Sequence, residues 1–207
     1  MKDRAVSETK QRLLRAGEQL FRTQGYAGTG LKQLSQAADA PWGSLYHFFP
    51  DGKEQLGGEI LAYVGELYRA GCQAAFERYD DPAEAIERIF VGEAAILEKS
   101  DYKNGCPIAS VTLDIASTNE SLRAACASAF RGWLETIALA LWSAGAPPSD
   151  ATALAGFVLS CLEGAIVLSR AAKSPTALLQ SAKFVRQTVE REAKTWTGAR
   201  RASRRRS

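Results

Sequence analysis

The chain holds one histidine, His47, and one methionine, and this scarcity excludes whole classes of chemistry before any motif is read. Acid–base constellations and zinc sites commonly draw on more than one imidazole, so His47 has no histidine partner as a metal ligand or catalytic base. The four cysteines, Cys72, Cys106, Cys126 and Cys161, stand far apart without a CxxC pair. That argues against a metal clip and for reduced, mostly buried thiols. GxSxG, P-loop and HExxH motifs are missing, as is a GxGxxG that opens a helix after a strand, so neither catalysis nor a cofactor is expected. No uninterrupted run of about 18 apolar residues occurs, and "MKDRAVSETKQR" lacks the apolar core of a secretion signal. The cytoplasm is the expected location.

What is present is charge in an uneven arrangement. The net +3 of the 207 residues divides into +2 over residues 1–56, −4 over 57–197 and +5 over the last ten. A polyanion is therefore drawn to the two ends and weakly repelled by the middle. The tail "GARRASRRRS" has no apolar residue larger than alanine to bury, which predicts a basic disordered segment over 198–207 that either solubilises the chain or touches phosphates nonspecifically.

Helical periodicity runs through the rest, with no convincing alternating strand, so the expected class is all-α with about nine helices. Ser7 is placed to cap a first helix whose face carries Leu13, Leu14, Gly17, Leu20 and Phe21, and Gly25 to close it. Short helices follow from about Leu31 to Ala38 and after Pro41, with a break at Asp39. A helix of about 24 residues starts at Lys53, and the next begins at Pro82. One further helix runs from Ile108 to about Ala116, and "STNE" predicts a capping box of Ser117 with Glu120 for the helix after it. Two long helices, about 149–173 and 175–196, finish the chain. The first is apolar nearly all round, with Phe157, Cys161 and Gly164 among its residues, and has to be covered on several sides. The second shows Leu178, Ala182, Val185 and Val189 at steps of four, three and four, the spacing of a helix-packing seam, and both have dimer-like faces.

In "PWGSLYHFFPDGKEQL", two short helices joined by a tight turn behind an amphipathic helix have the geometry of a helix-turn-helix. Leu45 and Phe49 can pack inward together, whereas Trp42, Ser44, Tyr46 and His47 cannot all follow them. Gly43 and Ser44 permit close approach to a groove, and the Tyr46 hydroxyl and His47 imidazole suit phosphate oxygens. Lys53 opens a helix whose unpaired N–H groups also favour an anion.

The segment "TKQRLLRAGEQLFRTQGYAGTGLKQLSQAADAPWGSLYHFFPDGKEQL" resembles the TetR/AcrR family of bacterial transcriptional repressors in Leu13, Leu14, Ala16, Leu20, Phe21, Gly25, Tyr26, Thr29, Leu34, Ala37, Ala38, Gly43, Leu45, Tyr46, Phe49, Lys53 and Leu56. The resemblance implies a homodimer that binds an operator through a helix-turn-helix domain at 1–56, with ligand binding and dimerisation in 57–197. It implies that Trp42, Gly43 and Ser44 face bases, that Tyr46 and His47 grip phosphates, and that Thr29 and Lys53 hold the DNA backbone. Trp42 stands where a small or polar residue is more usual, Gly30 replaces a second hydroxyl after Thr29, and "PDGKEQL" is one residue longer than the common form. With "NGCPIASVTLDIA" and "LEGAIVLSRA", that insertion resembles the subgroup typified by lincomycin-resistance and flavonoid-responsive repressors.

The same resemblance implies release of DNA by a small effector inside the core; the faces of the last two helices point to dimerisation there, and the residues available for the core suggest a hydrophobic, aromatic effector. Tyr63, Leu67, Phe90, Phe130, Trp133 and Phe157 are its candidate contacts, though plain core packing leaves the same stripe. Gly57 and Gly58 form either a compliant joint in the connecting helix or a close-packing site. Glu163 serves either a ligand's polar group or an interface, and Cys106 is either an oxidation sensor or a structural thiol. The alternative function is a helical adaptor or membrane-surface protein without sequence-specific DNA binding, its Arg tail on anionic lipid.

Overall fold

A computed structural model describes residues 2–204, with the side chains of residues 8–196. Among the described residues are nine α-helices and no strand: α1 (Lys2–Gln24), α2 (Leu31–Ala37), α3 (Trp42–Phe48), α4 (Lys53–Arg78), α5 (Pro82–Lys99), α6 (Pro107–Ile115), α7 (Glu120–Ser143), α8 (Pro148–Ala172) and α9 (Thr176–Arg204). The all-α expectation holds. They form two compact units, one of residues Met1–Leu67 and Lys103–Phe130, the other of Tyr68–Tyr102 and Arg131–Ser207. The first unit takes in α6 and the start of α7 along with α1 to α3, so the chain compacts along lines other than a single cut after residue 56.

The first unit is organised by α1. Leu13, Leu14 and Phe21 of its apolar stripe are buried, together with Leu34 of α2, Leu45 of α3 and Leu56 and Ile60 of α4. Gly17 permits the close approach of α4, because a β-carbon there would lie 2.1 Å from Ile60 Cδ1. Gly25 ends α1 in the left-handed conformation at φ 69°, as its freedom from a Cβ allows. The start differs from expectation. "KDRAVSETKQ" contains no glycine or proline to stop a helix, and α1 begins at Lys2, which leaves Ser7 inside it rather than at its cap.

A second tie joins α1 to the loop before α6. The Arg22 guanidinium pairs with Glu18 at 3.2 Å and donates to the Gly105 carbonyl at 3.3 Å, while the Gly105 N–H donates to the Arg22 carbonyl at 3.0 Å. α6 is capped by Cys106, whose sulfur accepts the Ala109 N–H at 3.4 Å. The thiol thus has a structural task. The expected Ser117–Glu120 capping box does not form at α7. Its first turn is capped by Asn119, whose Oδ1 accepts the Leu122 N–H at 2.9 Å, because the helix starts at Glu120 and leaves Ser117 too far upstream.

In the second unit α9 packs chiefly on α5 and α8. Leu178, Ala182, Val185 and Val189, the seam read from sequence as a dimer face, are almost fully buried within the chain itself. Seam spacing marks a packing face without saying whose, and here the partners are α5 and α8 of the same chain. Arg186 fastens this packing by donating to Glu87 of α5 at 2.5 Å and to Glu190 at 2.8 Å. Besides residues near its two ends, the residues left exposed along the middle of α8 are Phe157, Ser160, Gly164, Val167 and Leu168, with Cys161 half-buried. α8 is long and apolar enough to cross a membrane by length and composition, and only a third of its most apolar window is buried. Where disorder was expected from 198, α9 continues to Arg204; the side chains of the basic tail and residues 205–207 lie outside the described residues.

Candidate nucleic-acid interface

The geometry of α3 follows from two buried anchors. Leu45 and Phe49 are both fully buried, and a helix of seven residues held by that pair must turn its remaining side chains outward. Trp42 is 47% and Tyr46 48% exposed, and Gly43 and His47 are exposed beside them, with Ser44 half-buried. The Trp42 and Tyr46 rings meet edge to face at 5.5 Å. One outward surface therefore carries two aromatic rings, an imidazole and a glycine. A β-carbon on Gly43 would touch nothing within 4 Å, so nothing inside the chain requires glycine at this position.

The turn before α3 is locked rather than loose. Asp39 takes a left-handed conformation at φ 46°, and the buried Ser35 hydroxyl donates across the turn to the Ala40 carbonyl at 2.6 Å. A short polar residue tolerates that backbone better than most. α2 and α3 are consequently presented at a fixed angle, as a groove-reading helix pair needs.

Two of the expected contacts sit differently. Thr29 is 2% exposed, and its hydroxyl donates to the Gly25 carbonyl at 2.6 Å. It therefore holds the turn after α1; α2 starts from Gly30, with no side-chain cap, and the Thr29 hydroxyl is not offered to a phosphate. Lys53 is half-buried with its ammonium 4.4 Å from the centre of the Tyr26 ring, and burial lowers its pKa from the ordinary lysine value. Burial, with Glu54 second, raises that of Tyr26. A cation over an aromatic face ties the first turn of α4 to the end of α1. Sequence reasoning passed over Lys32, which is exposed on the first turn of α2 and has no acidic partner among the described residues. An exposed lysine carries no periodicity signal, so only its place beside α3 in the chain's helix pair distinguishes it.

The expected effector contacts divide between the two units. Phe90 and Trp133 are buried, and Phe157 is 42% exposed, all in the second unit; Tyr63, Leu67 and Phe130 belong to the first. The second unit has an open cavity of about 500 Å³ lined by the ends of α4 and α7, among them Arg69, Phe76, Glu77, Tyr79, Asp80 and Leu139, and none of the six expected residues lines it. Gly57 is explained by packing, since a β-carbon there would stand 2.8 Å from the Tyr26 ring and 3.2 Å from Leu122, whereas Gly58 faces open space. Burial raises the Cys72 thiol to about 11, far from a reactive thiolate at neutral pH.

Comparison with known proteins identifies the arrangement. Residues 13–60 match the family described as bacterial regulatory proteins, tetR family, and residues 82–184 match the transcriptional regulator LmrA/YxaF-like C-terminal domain. The chain is 32% identical over 185 residues to the HTH-type transcriptional regulator YxaF of Bacillus subtilis, covering 89% of this chain and 97% of that protein. It is also 32% identical over 187 residues to LmrA of the same organism, covering 90% and 100%. Among solved structures, a TetR regulatory protein from Rhodobacter sphaeroides superposes with a TM-score of 0.76 at 21% identity, over 86% of this chain and 96% of that one. The TetR family regulator CifR, solved with double-strand operator DNA, superposes with a TM-score of 0.71 at 21% identity, over 86% and 95%. The α3 surface thus lies within the segment that matches the family's N-terminal regulatory domain, and the chain belongs to the TetR family of transcriptional regulators, in its LmrA/YxaF-like branch.

Proposed function

We propose that this regulator is a cytoplasmic repressor that binds a near-palindromic operator as a homodimer and is released by a small organic effector. The observation that carries the reading is the outward face of α3, where Trp42, Gly43, Tyr46 and His47 are exposed above a fully buried Leu45 and Phe49. Aromatic rings, an imidazole and an open glycine on a rigid short helix suit a major groove, with Trp42 against thymine methyl groups or sugars and Tyr46 and His47 on phosphates. Ser44 contacts bases from its half-buried position. Lys53 supports the surface through Tyr26, Lys32 adds a phosphate contact from α2, and Thr29 contributes the turn that positions α2.

Residues 1–56 are the DNA-reading part and 57–197 the part that receives effector and partner. The dimer forms through the outward stripe of α8, Phe157, Cys161, Gly164 and Leu168, at steps of four, three and four, with Phe184 of α9. This stripe replaces the seam of α9 that the chain's own core has consumed. Two recognition helices must then fall about 34–36 Å apart to read successive groove faces, and an effector acts by changing that spacing.

The test is a mobility shift on the DNA upstream of the protein's own gene, with protein ending at Thr197 and a scrambled duplex as control. Selective, salt-sensitive binding by a dimer is expected. Binding that ignores sequence, or that disappears with the tail, removes the reading and leaves the adaptor alternative.

A further inference from the structure

We propose that the open cavity at the ends of α4 and α7 is a binding site for a planar aromatic organic cation. The inference rests on the reading that residues 57–197 receive the effector, and names both the place and the chemistry. A volume of about 500 Å³ falls within the roughly 300–1,000 Å³ of small-molecule sites. The walls combine apolar and aromatic surface from Phe76, Tyr79 and Leu139 with carboxylates of Glu77 and Asp80. Leu139 is 57% exposed although it lines the cavity, so its side chain is left for something outside the fold to cover.

Charge selects the cation. The wall's one basic residue, Arg69, is engaged, donating to Gln73 at 3.1 Å, and Gln73 donates in turn to Glu77 at 2.8 Å. Asp80 has no ion-pair partner among the described residues. Over residues 69–88 there are three basic and five acidic side chains, so the mouth of the cavity is negative on balance. Beside the cavity the guanidinium groups of Arg78 and Arg88, neither of them in its lining, lie 5.6 Å and 5.8 Å from the centre of the Tyr79 ring, so this ring already attracts cations. Stacking on aromatic and apolar walls with the positive end toward two carboxylates satisfies every part of this lining. An organic anion has to face Glu77 and Asp80, and within the lining itself only Arg69, already engaged with Gln73, stands to receive it.

The experiment uses the full chain without DNA and two dyes sharing a xanthene body, cationic rhodamine 123 and anionic fluorescein, read by fluorescence polarisation. Saturable rhodamine 123 binding is expected with a Kd on the order of micromolar, and fluorescein about tenfold weaker or more. Glu77→Gln with Asp80→Asn, both at exposed positions that leave the core untouched, is expected to erase most of that preference. Ala140→Trp, which fills the cavity, is expected to weaken both dyes. Equal binding of the two dyes, preference for fluorescein, or a preference indifferent to the double variant overturns the proposal. Selective operator binding by a protein that fails to take up rhodamine 123 also overturns it while leaving the repressor reading intact. Selective dye binding without an operator supports the cavity and counts against the repressor.

Discussion

At the scale of single residues, α3 separates two demands that a short helix must meet together. Leu45 is fully buried and Tyr46, its neighbour, is 48% exposed, so adjacent substitutions should have opposite signatures. Leu45→Ala is expected to destabilise the fold by about 2–5 kcal/mol through a cavity, measured by urea denaturation. Tyr46→Ala is expected to change stability by no more than about 0.5 kcal/mol while weakening operator binding about tenfold or more, measured by mobility shift. Loss of DNA binding in step with loss of stability at Tyr46 would assign that ring to the fold. Lys53, read from sequence as a DNA-backbone contact, also has its ammonium 4.4 Å from the centre of the Tyr26 ring, a packing partner that residue type alone does not reveal.

Elements make predictions that residues in isolation do not. The start of α7 tests which side chain caps it. Asn119→Ala is expected to cost about 1 kcal/mol, within the usual 0.5–2 for a lost cap, whereas Ser117→Ala should fall within about 0.5 kcal/mol of the parent in thermal melting. In α4 the two adjacent glycines should diverge. Gly57→Ala drives a methyl against Tyr26 and Leu122 and is expected to destabilise by about 1–3 kcal/mol. Gly58→Ala enters open space and is expected to stabilise by up to about 1 kcal/mol through helix propensity. If α4 needs a compliant joint, Gly58→Ala also changes how far an effector lowers operator affinity; unchanged induction places the whole effect of these glycines in packing.

For the whole molecule the open question is what covers α8. Val167 is 54%, Leu168 61% and Phe184 of α9 63% exposed, which is much apolar surface for two helices to leave in water. A second copy of the chain covers it in the proposed dimer. Leu168→Glu is therefore expected to shift the protein toward monomer by sedimentation at micromolar concentration and to lower operator affinity with it, since two half-sites bind far better than one. A dimer that survives both Leu168→Glu and Phe184→Glu would move the interface elsewhere.

The periodicity of the sequence by itself determined the number and kind of helices, and the ordered matches from Leu13 to Leu56 determined the family, because both are local patterns that repeat along the chain. Leu45 and Phe49 were legible as anchors of α3 for the same reason: four residues apart, they have to share a helical face. Tertiary structure decided everything that depends on what lies opposite. It turned the Thr29 hydroxyl back to Gly25, set Lys53 on Tyr26, gave the cap of α7 to Asn119 and buried Leu178, Ala182, Val185 and Val189 against α5 and α8. A stripe of apolar residues specifies only that a face will be covered. Whether its own chain, a second copy or a ligand does the covering is settled by the space the other helices leave, and that space is a property of the packed molecule.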